Sequence, residues 1–130
     1  MLINILDISR KPEGTTQTRA IHFDTIVDVD LAQPIDGEAE ITVVHPQLFS
    51  AHVRATVTLN RECDRCLKRY QYLLDIDFFA DFADDPEEGD WPIENNQIDL
   101  TLPLREEILL RTPLKSLCSP DCKGILDKTN

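Results

Sequence analysis

Glycine is scarce in this 130-residue chain: four residues in all. That leaves little material for phosphate-cradling loops, and no phosphate-binding glycine motif occurs. The chain has one Trp and one Met, and its three histidines, His22, His45 and His52, are scattered. No Ser-His-Asp ordering or metalloprotease motif appears, so nothing points to an enzyme or to a small-molecule substrate. No apolar run approaches the ~18 residues needed to cross a bilayer, so no membrane association is expected. The start, Met1–Asp7, is apolar but short, lacks preceding basic residues and is followed by no small-residue cleavage site, so no signal peptide is read. It is not rich in Arg and Ser either, which argues against a transit peptide. The expected location is the cytoplasm.

Cations are also in short supply. Thirteen Lys and Arg face 24 Asp and Glu, for a net charge of −11. Taken whole, this argues against generic binding to nucleic acid, because phosphate contact needs Lys and Arg. The distribution is uneven, however. Segment Arg61–Arg69 sets Arg61, Arg65, Lys68 and Arg69 against Glu62 and Asp64, a net +2. Segment Arg111–Lys128 sets Arg111, Lys115, Lys123 and Lys128 against Asp121 and Asp127, also +2, so the remainder carries −15. Both locally basic segments hold the cysteines.

Length and an apolar share of 42% fit a single domain, residues 1–130, able to bury a modest core without covalent staples. Four segments alternate with period two. In the first, Ile21, Phe23, Val27, Val29 and Leu31 share a face. The second is 38–45, with Ala39, Ile41 and Val43 on one side. In the third, 51–60, Val53, Ala55, Val57 and Leu59 alternate with polar residues. In the fourth, 70–81, Tyr70, Tyr72, Leu74, Ile76 and Phe78 do the same. One buried and one wet face is the pattern of an antiparallel sheet. Turns are expected at 33–37 and 45–47. Residues 81–97 begin with six acids in ten positions, with Pro86 and Gly89 among them, and are expected to form a solvated, mobile loop. Trp91, beside it, is expected to pack back on the domain. One helix is expected, with Pro103 in its first turn, Glu106 and Glu107 toward its positive end and an apolar stripe of Leu100, Leu104, Ile108 and Leu109; Thr112-Pro113 stops it. The fold class is therefore α+β: a mostly antiparallel, curved sheet, open or barrel-like, one main C-terminal helix, two cysteine knuckles and a short polar tail at 124–130.

The cysteines are spaced Cys63-x2-Cys66, then 51 residues, then Cys118-x3-Cys122. Without a secretory signal, such pairs are metal ligands or redox groups more often than disulfides. Two knuckles supply the four thiolates that zinc favours, and nearby Arg and Lys offset the charge of such a site. The gap is longer than in a zinc ribbon and the second knuckle has three intervening residues, so unligated thiols or an oxidised pair are alternatives. A thioredoxin-like role for Cys63-x2-Cys66 is disfavoured, because the pair lies between two strands rather than at a helix start.

The segments Cys63-Asp64-Arg65-Cys66-Leu67, Ile98-Asp99-Leu100 and Cys122-Lys123-Gly124-Ile125 together resemble the YceD-like large ribosomal RNA subunit accumulation family. Cys63-Asp64-Arg65-Cys66-Leu67 is similar to its C-x-R-C-L signature. Ile98-Asp99-Leu100, the helix to Leu110, Pro113–Cys118 and Cys122-Lys123-Gly124-Ile125 resemble its second half, and the likeness spans roughly 20–125. The resemblance implies a non-enzymatic factor in the accumulation of large-subunit ribosomal RNA. The partner would be a ribosomal RNA precursor or a large-subunit ribosomal protein, met by the basic surface of Arg61, Arg65, Lys68, Arg69, Lys115 and Lys123. Many relatives continue with a third cysteine pair, whereas this chain reads Ile125–Asn130. A metal site built on that pair would be missing here; one built on Cys63, Cys66, Cys118 and Cys122 would be intact. Two readings compete with this one: a zinc or thiol-redox protein unrelated to RNA, and a plain interaction domain with buried cysteines.

Overall fold

The computed structural model describes residues 2–114 and 116. The elements follow the chain as β1 (Leu2–Asn4), α1 (Leu6–Ser9), β2 (Thr16–Phe23), β3 (Ile35–His45), β4 (Leu48–Glu62), β5 (Arg69–Ala83), β6 (Trp91–Pro92), β7 (Gln97–Asp99) and α2 (Thr101–Arg111). The main sheet has the order β2-β3-β4-β5-β6, antiparallel except for the short β5–β6 pair. Strands β1 and β7 form a separate antiparallel pair.

Period-two alternation decides which face is buried. On β3 to β5, Ala39, Ile41, Val43, Ala51, Val53, Val57, Leu74, Ile76, Phe78, Ala80 and Phe82 all point into the core. Each large side chain among them contributes roughly 1.5–3 kcal/mol on burial. Their alternate neighbours Glu38, Arg54, Asp75, Asp77 and Phe79 form a solvent-facing surface. Gly37 opposes Ala55 in the β3–β4 register, where a Cβ would come within 2.7 Å of the Ala55 methyl; only glycine fits this close strand approach.

The sheet stays open rather than closing into a barrel. Its outer strands, β2 and the short β6, lie at opposite ends of the strand order. The first predicted strand is corrected as well. β2 ends at Phe23, and Asp28 takes a left-handed conformation (φ 64°) that breaks the run toward Leu31. Val27 is exposed, and Ile26 is buried instead. Residues 30–32 then follow the edge of β4 beyond its pairing with β3. Asn60 N–H donates to Asp30 O (2.9 Å), and Ala32 N–H to Thr58 O (2.8 Å). The turn expected at 33–37 is displaced upstream, since β3 begins at Ile35.

The acidic segment is more structured than a loop. β5 runs to Ala83, β6 pairs alongside it, and Trp91 and Ile93 pack on the core. At Gly89 a Cβ would meet the Ala83 methyl at 2.9 Å, so glycine permits the fold-back. Asn95 and Asn96, both at positive φ, make a tight turn closed by reciprocal bonds between Glu94 and Gln97.

Helix α2 confirms the predicted stripe at Leu100, Leu104 and Ile108, all buried; Leu109 lies outside it and is exposed. Glu106 and Glu107 sit mid-helix rather than in the first turn, and Glu107 accepts from Arg111 Nε at 2.8 Å. The Ile98-Asp99-Leu100 motif has a local explanation. Its outer residues are fully buried, while Asp99 Oδ1 accepts from the Thr101 N–H at the helix start (2.9 Å). Partial burial pushes the Asp99 carboxyl up, hydrogen bonds from the Thr101 N–H and hydroxyl pull it down, and the group ends below the usual carboxylate range.

Candidate functional site

Strands β4 and β5 are 15 residues each, paired without interruption from Leu48↔Ala83 to Glu62↔Arg69. At ~3.3 Å per residue such a ribbon is about 50 Å long. The loop joining them is Cys63–Lys68, so the first cysteine pair sits at the tip of the longest hairpin.

The tip is tightly closed. Cys63 N–H donates to Lys68 O (2.8 Å), and Leu67 N–H to Cys63 O (3.0 Å). Leu67 adopts φ 62°, a conformation that favours glycine. This left-handed residue reverses the chain directly after Cys66. Cys63 is fully buried although it lies apart from the main apolar core, and Cys66 is half-buried.

A residue far along the chain pins this loop. Ser116 N–H donates to Asp64 Oδ2 (2.7 Å), and Asp64 N–H donates to Ser116 O (2.6 Å). The Ser116 hydroxyl donates to Glu62 O (2.6 Å) and meets the Tyr70 hydroxyl at 2.7 Å. Arg61 Nη2 donates to Pro113 O (2.8 Å), and its guanidinium lies 5.8 Å over the Tyr72 ring. The segment just before the second cysteine pair is thereby fastened to the first.

Of the predicted cationic residues, Arg65, Lys68 and Arg69 are exposed at the tip. Arg69 pairs with Asp30 (3.5 Å), both side chains being exposed. Arg61 is half-buried and engaged in internal contacts. Tyr72 packs against the core, as its strand alternation suggested, whereas Tyr70 is tied to Ser116 instead. Lys115, Cys118, Cys122 and Lys123 lie outside the described residues. Among the described residues, no three His, Cys, Asp or Glu side chains gather as a metal site. The pin at Ser116 escaped the sequence reading, because a lone serine carries no periodic signal.

The open face of the sheet has the opposite charge. Arg54 pairs with Glu38 (2.7 Å), and His52 bonds Asp77 while stacking on Phe79. His22 bonds Asp36 (2.6 Å) and Asp24 (2.8 Å), which raises its pKa above the ordinary histidine value, Asp36 contributing most. The histidines are at the surface, as expected, but each described ring is held by a carboxylate.

A family described as "Large ribosomal RNA subunit accumulation protein YceD" matches residues 49–129. The chain belongs to the YceD family. The match begins one residue into β4 and takes in the hairpin, the acidic segment and α2; strands β2 and β3 precede it. No curated protein and no solved structure gives a significant match. Family membership implies a role in the accumulation of large-subunit ribosomal RNA, and hence a place in ribosome biogenesis. No helix among the described residues is long and apolar enough to cross a membrane.

Proposed function

We propose that this protein is a non-enzymatic, cytoplasmic factor that supports large-subunit ribosomal RNA by gripping a ribosomal RNA precursor with the β4–β5 tip. Arg65, Lys68 and Arg69 make the phosphate contacts, joined by Lys115 and Lys123; Arg61 braces the tip from inside. The observation that carries this reading is the exposed cationic loop on an otherwise anionic body. The acidic sheet face repels RNA elsewhere, so contact is restricted to one end of the molecule.

A structural zinc fits the donor set. Cys63 and Cys66 share one tight loop, and Cys118 follows Ser116 by two residues, at most ~7 Å of chain. Since Ser116 is bonded to that loop, Cys118 is within reach of it. Together with Cys122 this makes four thiolates, a closed tetrahedral set for zinc, with Arg and Lys offsetting its charge.

The test is filter binding of a large-subunit precursor RNA over a salt series, with the wild type and an R65A/K68A/R69A variant. The variant should bind at least about tenfold more weakly and lower the salt slope by about two to three. Unchanged affinity and slope would overturn the RNA reading. Atomic emission should find one zinc per chain, lost with chelator. Metal-free protein with a readily formed disulfide would instead favour the thiol-redox alternative.

A further inference from the structure

A second surface lies along the far edge of the sheet. In β5, the residues that bond β4 are the even-numbered ones, since the Cys63–Lys68 bond sets the alternation and the register runs on unbroken. Leu73, Asp75, Asp77, Phe79 and Asp81 therefore turn their N–H and C=O groups to the other side. There β6 pairs in parallel at Phe82 and Ala83 and so takes up the Asp81 end of the edge, and Arg111 Nη2 caps the Asp77 carbonyl (2.6 Å); among the described residues, Leu73, Asp75 and Phe79 mark the part that no strand pairs. Such an edge is a template for a further strand.

Beside it, between β5 and α2, runs a groove of about 550 Å³. Phe79, Trp91 and Leu110 give it apolar walls, Phe79 and Leu110 being largely exposed. Asp90, Glu106 and Glu107 line it too, and no Lys or Arg does among the described residues. Glu107 is engaged by Arg111.

We propose that this edge and groove bind an extended, lysine- or arginine-rich segment of a protein partner by strand addition. Main-chain bonds to the open side of β5 supply affinity. Alternate side chains of the segment fall toward Trp91 and Leu110 or toward the acidic sheet face, and its cations meet Asp90 and Glu106. Charge selects this occupant over two others. A second copy of the chain would set Asp75, Asp77 and Asp81 against themselves, and like charges directly opposite destabilise a strand pair. RNA would be repelled by the carboxylates of Asp75, Asp77, Asp90 and Glu106. This surface is independent of the cysteine tip, so its failure leaves the RNA reading standing.

Trp91 lines the groove and is the only tryptophan in the chain, so its emission reports occupancy directly. A blocked octapeptide alternating Lys and Val, titrated into the full-length protein, should shift that emission saturably. A glutamate-for-lysine version should not, nor should one N-methylated at alternate residues. The D90N/E106Q variant should bind about three- to tenfold more weakly, whereas D36N/E38Q, altered on β3 two strands away from the β5 edge, should bind normally. Thermal melts of both variants establish that they are folded. The proposal is overturned if the emission does not saturate, if both variants weaken binding equally, if an RNA oligonucleotide produces the same shift, or if sedimentation shows a dimer whose dissociation the peptide does not affect.

Discussion

Asp64 and Ser116, 52 residues apart, hold each other through two reciprocal bonds: backbone N–H to carbonyl oxygen at 2.6 Å, and backbone N–H to carboxylate at 2.7 Å. This resembles one rung of a strand pair with an added side-chain acceptor, and it fastens the chain leading to Cys118 onto the loop of Cys63 and Cys66.

Asp64→Ala removes the charged acceptor and should lower stability by about 1 kcal/mol, since the group is exposed and partly compensated by water. The sharper readout is local. Hydrogen exchange at the Ser116 amide should accelerate, and Cys63 should react faster with a thiol reagent. Asp64→Asn keeps an oxygen in place and should recover most of the protection. An unchanged Ser116 exchange rate in Asp64→Ala would show that the rung holds nothing.

Leu67 spends conformational energy at φ 62° while its side chain is exposed, so it gives little packing in return. Leu67→Gly should stabilise the protein by about 0.5–1 kcal/mol, the left-handed cost for a side chain less the entropy of glycine. Leu67→Val, β-branched, should destabilise it by about 1 kcal/mol. Urea denaturation of both variants measures this, and a reversed order would refute the strain argument.

His22 bonds Asp36 and Asp24, and its pKa is raised. The folded protein thus holds the imidazolium proton more tightly than the unfolded chain does. This stabilising contribution is fully present below the unfolded value of about 6.5 and fades as pH rises through the higher folded pKa. The wild type should lose stability relative to His22→Gln as pH rises above about 6.5. An NMR titration of the His22 ring should place its midpoint above 6.5. A midpoint at or below that value would contradict the ion-pair geometry.

Strands β4 and β5 were legible because a long period-two pattern specifies both strand type and buried face, whatever the partner. Leu100, Leu104 and Ile108 were legible at helical spacing for the same reason. The misreadings lie where local pattern and pairing part company. Val27, Val29 and Leu31 alternate like a strand, yet left-handed Asp28 turns the chain, and Arg105 fastens that turn by donating to Val27 O (3.1 Å) and Asp28 Oδ2 (2.6 Å). β1 and β7 have three residues each, too short to display a period, and depend on pairing with each other. Trp91 packs back on the domain as expected, while the groove it shares with Leu110 depends on where α2 settles against β5.

The amino-acid order alone determined which faces are apolar, where the cysteine loop falls and where α2 stops, since these follow from residue spacing along a few turns of chain. Only the tertiary structure decided that the sheet stays open, that Arg61 turns inward and that Ser116 reaches the cysteine loop. Those outcomes depend on contacts between residues tens of positions apart, whose free energies are set by register and packing and leave no periodic trace in the local sequence.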